Sequence, residues 1–290
     1  LNGVEEVVVV ANRGLGRLTA LRRALTQRPA LAVVFPPSLA AAAEVAVARP
    51  RVACGYGDAL RWMALDYRLP RRWARGRHRW EAYAILAAAV TGKPVSERYP
   101  ITTAPGDAAA AAALFAEGGL DGPGAPIVGL VPGGRAASRL WPAERFAALA
   151  SSLGREGFRV LILGSAAERA FTARIAALAD PAPVDWAGRT TLPVLAECFR
   201  RLDHLVTNDT GPMHLAAAVG TPLVVPWGAG DEVVTGPRGI ASRILVHPIH
   251  CRPCVKNRCA YNLGCMTGIP VEAVLDHVPR LAVAVPSAPL

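Results

Sequence analysis

Asn208-Asp209-Thr210-Gly211-Pro212-Met213-His214 joins two apolar runs, with His204-Leu205-Val206-Thr207 before it and Leu215-Ala216-Ala217-Ala218-Val219 after it. Gly220-Thr221-Pro222 and Leu223-Val224-Val225 follow. The order reads as strand, tight turn, small-residue helix and second strand, the repeating unit of a parallel sheet with crossover helices. A turn that ends a strand and opens a helix aims several backbone N–H groups, with the positive end of the helix dipole, at one point. Thr210 adds a hydroxyl donor, Gly211 permits close backbone approach, and His214 projects from the first helical turn. With Asp209 and Met213 they make a candidate diphosphate-binding turn. Asp and Thr are also ordinary N-caps and Gly is ordinary in turns, so the turn alone does not separate a ligand site from a structural one.

The neighbouring segments decide more. Ile127-Val128-Gly129-Leu130-Val131 reads as a strand, residues 142–153 as a helix, Arg159-Val160-Leu161-Ile162-Leu163 as a strand, and residues 166–179 as a helix. Val184-Asp185-Trp186-Ala187 and a helix over 192–201 complete a doubly wound α/β series, whose ligands bind at the carboxyl ends of the strands. Three such ends carry chemistry. Gly133 and Gly134 follow the first strand, with Arg139 beyond them; Glu168 follows the second; the turn from Asp209 to His214 follows the fourth. Backbone N–H groups and Arg139 suit phosphate charge, and Glu168 suits ribose hydroxyls, so the set fits a nucleotide diphosphate.

The first part of the chain repeats the alternation. Strands are expected at 7–10, 32–35 and 51–56, with helices over 16–28, 38–48 and 78–90, and Asp107 is expected to cap a short helix over 108–115. Glu117-Gly118-Gly119-Leu120-Asp121-Gly122-Pro123-Gly124-Ala125-Pro126 is rich in turn formers. The expected division is therefore an N-terminal α/β domain at 1–118, a linker at 119–126 and a nucleotide-binding α/β domain at 127–290. At 290 residues, two domains are the ordinary outcome.

With 52% hydrophobic residues the chain has ample material for packed cores, and no apolar run is long enough to span a bilayer. The opening residues, acidic and Val-rich, do not read as a secretory leader, and the absence of an initiating Met suggests an excerpt. The formal net charge is +10. Seven Arg, interleaved with Trp62, Trp73 and Trp80, fall between Arg61 and Arg79, a composition that meets an anionic surface. No nucleic-acid module signature accompanies them, which favours an anionic glycolipid over RNA.

Cys251, Cys254, Cys259 and Cys265 are spaced C-x2-C-x4-C-x5-C. Thiolates so spaced can surround one Zn or Fe ion, with His247 and His250 as substitute ligands; the alternative is a set of free thiols in a basic loop carrying Lys256 and Arg258. A cytosolic protein would not ordinarily hold them as disulfides. Cys54 and Cys198 read as small buried hydrophobes.

With these residues in view, the chain resembles glycosyltransferase family 9, the ADP-heptose:lipopolysaccharide heptosyltransferases, and most of all the heptosyltransferase II branch. The resemblance runs along nearly the whole sequence. It rests on Asn208 to Pro222, on Arg139-Leu140-Trp141-Pro142-Ala143-Glu144-Arg145-Phe146, on Gly188-Arg189-Thr190-Thr191-Leu192, on the cysteine segment, and on Gly76-Arg77-His78-Arg79-Trp80-Glu81-Ala82-Tyr83.

It implies a GT-B-like fold of two Rossmann-like doubly wound domains, the first incomplete. It also implies inverting transfer of heptose from ADP-heptose to a Kdo–lipid A acceptor, without a cofactor, by a cytoplasmic enzyme peripheral at the inner face of the inner membrane. Thr210, Gly211 and His214 would hold the donor diphosphate and Glu168 the ribose, while Arg71, Arg72 and His78 stand on the acceptor side.

Three departures stand out. Arg139 replaces the family's Lys, a planar fork for a point charge. Pro226-Trp227-Gly228-Ala229-Gly230-Asp231 stands where the family more often shows Phe-Gly-Pro-Thr-Asp. The family's opening Gly-Asp turn, which carries the expected base, has no counterpart after residues 7–10, where Ala11-Asn12-Arg13-Gly14 follows, so that Asp is expected upstream of Leu1. Asp58 and Asp66 read as solvated loop carboxylates. The rival reading is a catalytically inactive module that recognises an ADP-sugar without transferring it.

Overall fold

The computed structural model describes residues 15–25, 27–35, 38–57, 62–96, 101–238 and 241–278. The strand expected at 7–10, the turn around Asn12, Asp58 and Arg61 lie outside the described residues. The chain divides into two compact units, residues 1–96 and 97–290.

In the first unit, helix α1 (Leu15–Ala24), strand β1 (Leu31–Val34), helix α2 (Leu39–Ala48), strands β2 (Val52–Gly57) and β3 (Tyr67–Pro70) and helix α3 (Arg79–Thr91) follow in order. The strands form a parallel sheet, β1-β2-β3, in which Leu31 faces Val52 and Cys54 faces Tyr67. Ser38 caps α2 by accepting the Ala41 N–H at 3.2 Å, so the helix begins where the sequence places a hydroxyl before an apolar run. Val34, Ala41, Val45, Ala53 and Leu65 pack on one face of the sheet, and Tyr56, Ala82 and Leu86 on the other. Strand β3 falls inside the Arg-rich stretch, where charge hides the two-residue alternation from a reading of sequence.

The second unit contains α4 (Pro105–Glu117), β4 (Ile127–Val131), α5 (Ala143–Arg155), β5 (Arg159–Ile162), α6 (Arg169–Leu178), β6 (Val184–Asp185), α7 (Leu192–Arg200), β7 (His204–Thr207), α8 (Gly211–Val219), β8 (Leu223–Trp227), α9 (Glu232–Thr235), β9 (Ser242–Val246), α10 (Gly264–Thr267) and α11 (Val271–Leu275). Its six strands run parallel in the order β6-β5-β4-β7-β8-β9. Residues Ile127–Val131 and Leu223–Trp227 are buried throughout, as strands covered on both faces must be. The order reverses between β4 and β7, the topological switch at which such sheets bind ligands.

The division corrects the expected boundary. Helix α4 belongs to the second unit, and the Gly-rich stretch 117–126 is an internal loop of it. The cause is packing. Ala111 and Phe115 are buried in the second unit's core, and Phe115 meets Trp186 edge-on with ring centroids 5.1 Å apart. Arg189 pairs with Glu117 at 2.5 Å, and the Thr103 hydroxyl bonds to Glu197. The helix also starts earlier than expected, at Pro105, with Asp107 in its first turn accepting the Ala104 N–H at 2.9 Å.

Candidate functional site

Strands β4, β5 and β7 are parallel neighbours, so the loops leaving them emerge at one edge of the sheet. After β4, the missing side chain of Gly133 leaves space that Glu168 fills: a Cβ there would stand 1.9 Å from Glu168 Oε1. Glu168 arrives from the end of β5, where the Ser165 N–H and hydroxyl each donate to its Oε2 at 2.7 Å. Thr210 precedes α8 in an extended conformation (φ −152°), and its hydroxyl makes no capping bond to the helix. A Cβ on Gly134 would lie 3.8 Å from Thr210 Oγ1, so the two loops touch. Gly133, Gly134, Glu168, Thr210 and Gly211 line a single cleft of about 430 Å3.

Arg139 and Asp209 do not line that cleft but are joined to each other, with Nη1 3.1 Å from Oδ2, and this ties the Arg139 loop to the turn after β7. Burial pushes the Asp209 carboxyl above its usual range, and the Arg139 charge only partly offsets it. His214 is exposed in the first turn of α8, beyond Gly211, and is not among the cleft-lining residues. The Met213 side chain is fully buried in the core beneath α8, where an apolar side chain on the helix's inner face belongs.

Asn208 holds the edge together and is absent from the expected site. Its Nδ2 donates to the Pro132 carbonyl at 2.6 Å and its Oδ1 accepts the Trp141 N–H at 3.0 Å. One amide thereby satisfies the loops after β4 and before α5 from the end of β7. Trp141 is buried against Phe146, and its Nε1 donates to the Ile269 carbonyl at 3.0 Å. The polar residue immediately before Asp209 was the available signal. Thr190 and Thr191, from the Gly188–Leu192 segment, also line the cleft.

The cysteine segment braces the same edge from behind. The Ser138 N–H donates to the Asn257 carbonyl at 3.2 Å, the Val255 N–H to Ala229 at 2.8 Å, and Arg252 Nε to Gly228 at 2.7 Å. Cys251, Cys254, Cys259 and Cys265 all line one cavity of about 170 Å3, and none is in a disulfide. The sulfur of Cys259 accepts the N–H groups of Tyr261 at 3.2 Å and Leu263 at 3.4 Å. Burial and the three neighbouring cysteines push the Cys265 thiol up. Among the described residues, however, no three His, Cys, Asp or Glu side chains are arranged to hold a common ion, and His247 and His250 lie outside the cavity lining. Burial pushes the Cys198 thiol up to about 12, which suits its place in the core.

In the first unit, Arg71 and Arg72 are exposed just after β3, at the carboxyl edge of that sheet. His78 caps α3, its Nδ1 accepting the Trp80 N–H at 3.1 Å, so one ring nitrogen has a structural task. Asp66 likewise serves the fold by accepting the Ala53 N–H at 2.7 Å.

The chain is similar to known proteins that share this architecture. The lipopolysaccharide heptosyltransferase 2 of Salmonella typhimurium is 32% identical over 125 residues, covering 41% of this chain and 36% of that enzyme. The match thus spans little more than a third of that relative's length. The crystal structure of a family 9 glycosyl transferase from Veillonella parvula superposes with a TM-score of 0.76 at 19% identity, covering 89% of this chain and 76% of the other. The E. coli heptosyltransferase WaaC solved with ADP does so with a TM-score of 0.62 at 19% identity, covering 89% and 75%. At these identities the two structures establish likeness of fold. The model of glycosyltransferase family 9 (heptosyltransferase) matches residues 18–263, and the chain belongs to that family.

Proposed function

We propose that this chain is an inverting heptosyltransferase that takes ADP-heptose as donor and builds the lipopolysaccharide inner core on a Kdo–lipid A acceptor. The observation that carries this reading is the cleft at the switch point of the second unit, where the Gly133-Gly134 turn, Glu168 and the Thr210-Gly211 helix start meet. Backbone N–H groups at the start of α8 and the Thr210 hydroxyl suit a diphosphate, and the Glu168 carboxylate suits ribose hydroxyls. Charge develops on the departing ADP as the sugar bond breaks, so donors aimed at the phosphates supply most of the acceleration. Arg139 and His214, which do not line the cleft, are assigned as further donors to the diphosphate. The family relative solved with ADP supports the choice of nucleotide.

Arg71, Arg72 and His78 of the first unit are assigned to the phosphorylated acceptor. An anionic lipid acceptor accords with a cytoplasmic enzyme held peripherally at the inner face of the inner membrane. Among the described residues no helix is long and apolar enough to cross a membrane.

Thr210→Ala is expected to lower turnover with ADP-heptose roughly a hundredfold, the cost of removing one donor to leaving-group charge. Unchanged turnover in both Thr210→Ala and His214→Ala contradicts the assignment. One observation favours the rival, an ADP-sugar-binding module: Asp66, a carboxylate of the first unit, is engaged with backbone and leaves no acceptor base assigned. ADP binding by calorimetry with no detectable transfer supports that rival.

The thiols form the second part of the proposal. A structural Zn or Fe enters their cavity only if the side chains rotate from the arrangement seen, since that arrangement holds no ion-binding trio among the described residues. Elemental analysis of protein purified without added metal decides between the two: near one equivalent of Zn or Fe marks a structural site, and less than about a tenth of an equivalent leaves free thiols.

A further inference from the structure

Among the described residues, three buried side-chain polar atoms have no hydrogen-bond partner: Arg139 Nε, Asp209 Oδ2 and Trp227 Nε1. They lie together. Asp209 follows β7 and Trp227 ends β8, and these strands are paired neighbours, Leu205 facing Leu223 and Val206 facing Val224. Both side chains therefore emerge at the carboxyl edge of the sheet and close on the bare α-carbon of Gly230. A Cβ on Gly230 would lie 2.3 Å from Asp209 Oδ2 and 3.0 Å from Trp227 Nε1. Arg139 reaches the same carboxylate with its Nη1 at 3.1 Å.

A buried donor left unmade is costly, and cores normally avoid it by pairing or by apolar substitution. Two unmade donors beside one carboxylate oxygen leave polarity that the fold itself does not use. Its chemistry is specific. An indole N–H can only donate, and an ionised carboxylate can only accept. A hydroxyl does both, so a single hydroxyl placed there accepts from Trp227 and donates to Asp209. Of the three side chains, Arg139 is the one that yields, being 28% exposed against 4% for Asp209. A diphosphate in the adjoining cleft competes with Asp209 for its guanidinium.

We propose that Trp227 is a specificity-determining residue, its Nε1–H and the Asp209 carboxylate together reading one hydroxyl of the sugar carried by the donor nucleotide. This rests on the nucleotide-sugar reading of the cleft and deepens it: the ADP portion is held at Gly133, Glu168 and Thr210, while the sugar is told apart at Trp227. Gly230 is bare because any side chain there would displace the carboxylate.

Trp227→Phe keeps an aromatic ring in the core but removes the donor together with part of the indole. The expected result is an ADP dissociation constant within about twofold of wild type and a dissociation constant for ADP-heptose raised about tenfold or more, whatever the emptied volume costs in thermal midpoint. Gly230→Ala provides the second variant: by shifting the carboxylate it also weakens ADP-heptose while leaving ADP binding in place. An unchanged ADP-heptose constant in both variants overturns the proposal. So does an equal loss of ADP and ADP-heptose with a lowered thermal midpoint, which marks Trp227 as structural. If wild type binds no ADP, the nucleotide reading of the cleft falls first and this one with it; if it binds ADP and the variants do not discriminate the sugar, only this inference falls.

Discussion

Asn208→Ala is expected to lower the unfolding free energy by roughly 2–6 kcal/mol, the sum for two buried backbone groups each left unsatisfied at about 1–3 kcal/mol. The two groups are the Pro132 carbonyl and the Trp141 N–H, which the Asn208 amide now satisfies. Asn208 is 1% exposed, so water does not take its place without opening the edge. The loss extends to function, because Pro132 sets the Gly133-Gly134 turn and Trp141 follows the Arg139 loop. Urea unfolding and ADP titration of the same variant check both. Asn208→Asp keeps an acceptor for Trp141 and loses the donor to Pro132, and should fall between alanine and wild type. A stability change below about 0.5 kcal/mol for alanine, the level of an ordinary surface substitution, contradicts the bracing role.

Phe115→Ala is expected to cost about 3–5 kcal/mol, the usual loss for emptying a large buried aromatic site. Phe115 is 1% exposed, packs edge-on against Trp186, and lies under the Arg201 guanidinium at 5.5 Å from its ring centroid. The sequence reading placed this helix with the first domain. If that placement were right, the loss would leave the second unit's transition untouched. The structure predicts the opposite: in a background where Trp186 is the sole tryptophan, the other five replaced by Phe, its emission should report the destabilisation. Chemical denaturation followed by fluorescence separates the two.

Much of the second unit was legible because its strands are continuous apolar runs closed by Gly, Pro or Asp, and its helices fill the spaces between them. Parallel order follows from that alternation, and so does the edge on which the loops gather. The chemistry-bearing residues at three strand ends were legible for the same reason, and Gly133, Glu168 and Thr210 do share a cleft. Periodicity cannot say which core an amphipathic helix joins. Helix α4 could have packed on either unit, and Phe115 against Trp186 decides it.

Strand β3 was lost among arginines, and β9 (Ser-Arg-Ile-Leu-Val) was passed over although Gly236-Pro237 before it and Pro248 after it punctuate the run. Met213 lies within the Asp209–His214 turn, yet its helical phase points it into the core. Asn208 and Trp227 stand in segments the sequence singles out, but their hydrogen-bond roles could not be read from it. What they do depends on which groups the fold leaves unpaired, and that is a property of three dimensions.

The central claim is that loops from β4, β5 and β7 hold one nucleotide diphosphate, and isothermal titration with ADP tests it on wild type and Gly133→Ala. A methyl at residue 133 would fall 1.9 Å from Glu168 Oε1, so the carboxylate must leave the position assigned to ribose binding. One ADP should bind per wild-type chain, with affinity at least about tenfold weaker in the variant, equivalent to about 1.4 kcal/mol or more. Equal affinity in the two proteins, or no binding by wild type, would contradict the claim.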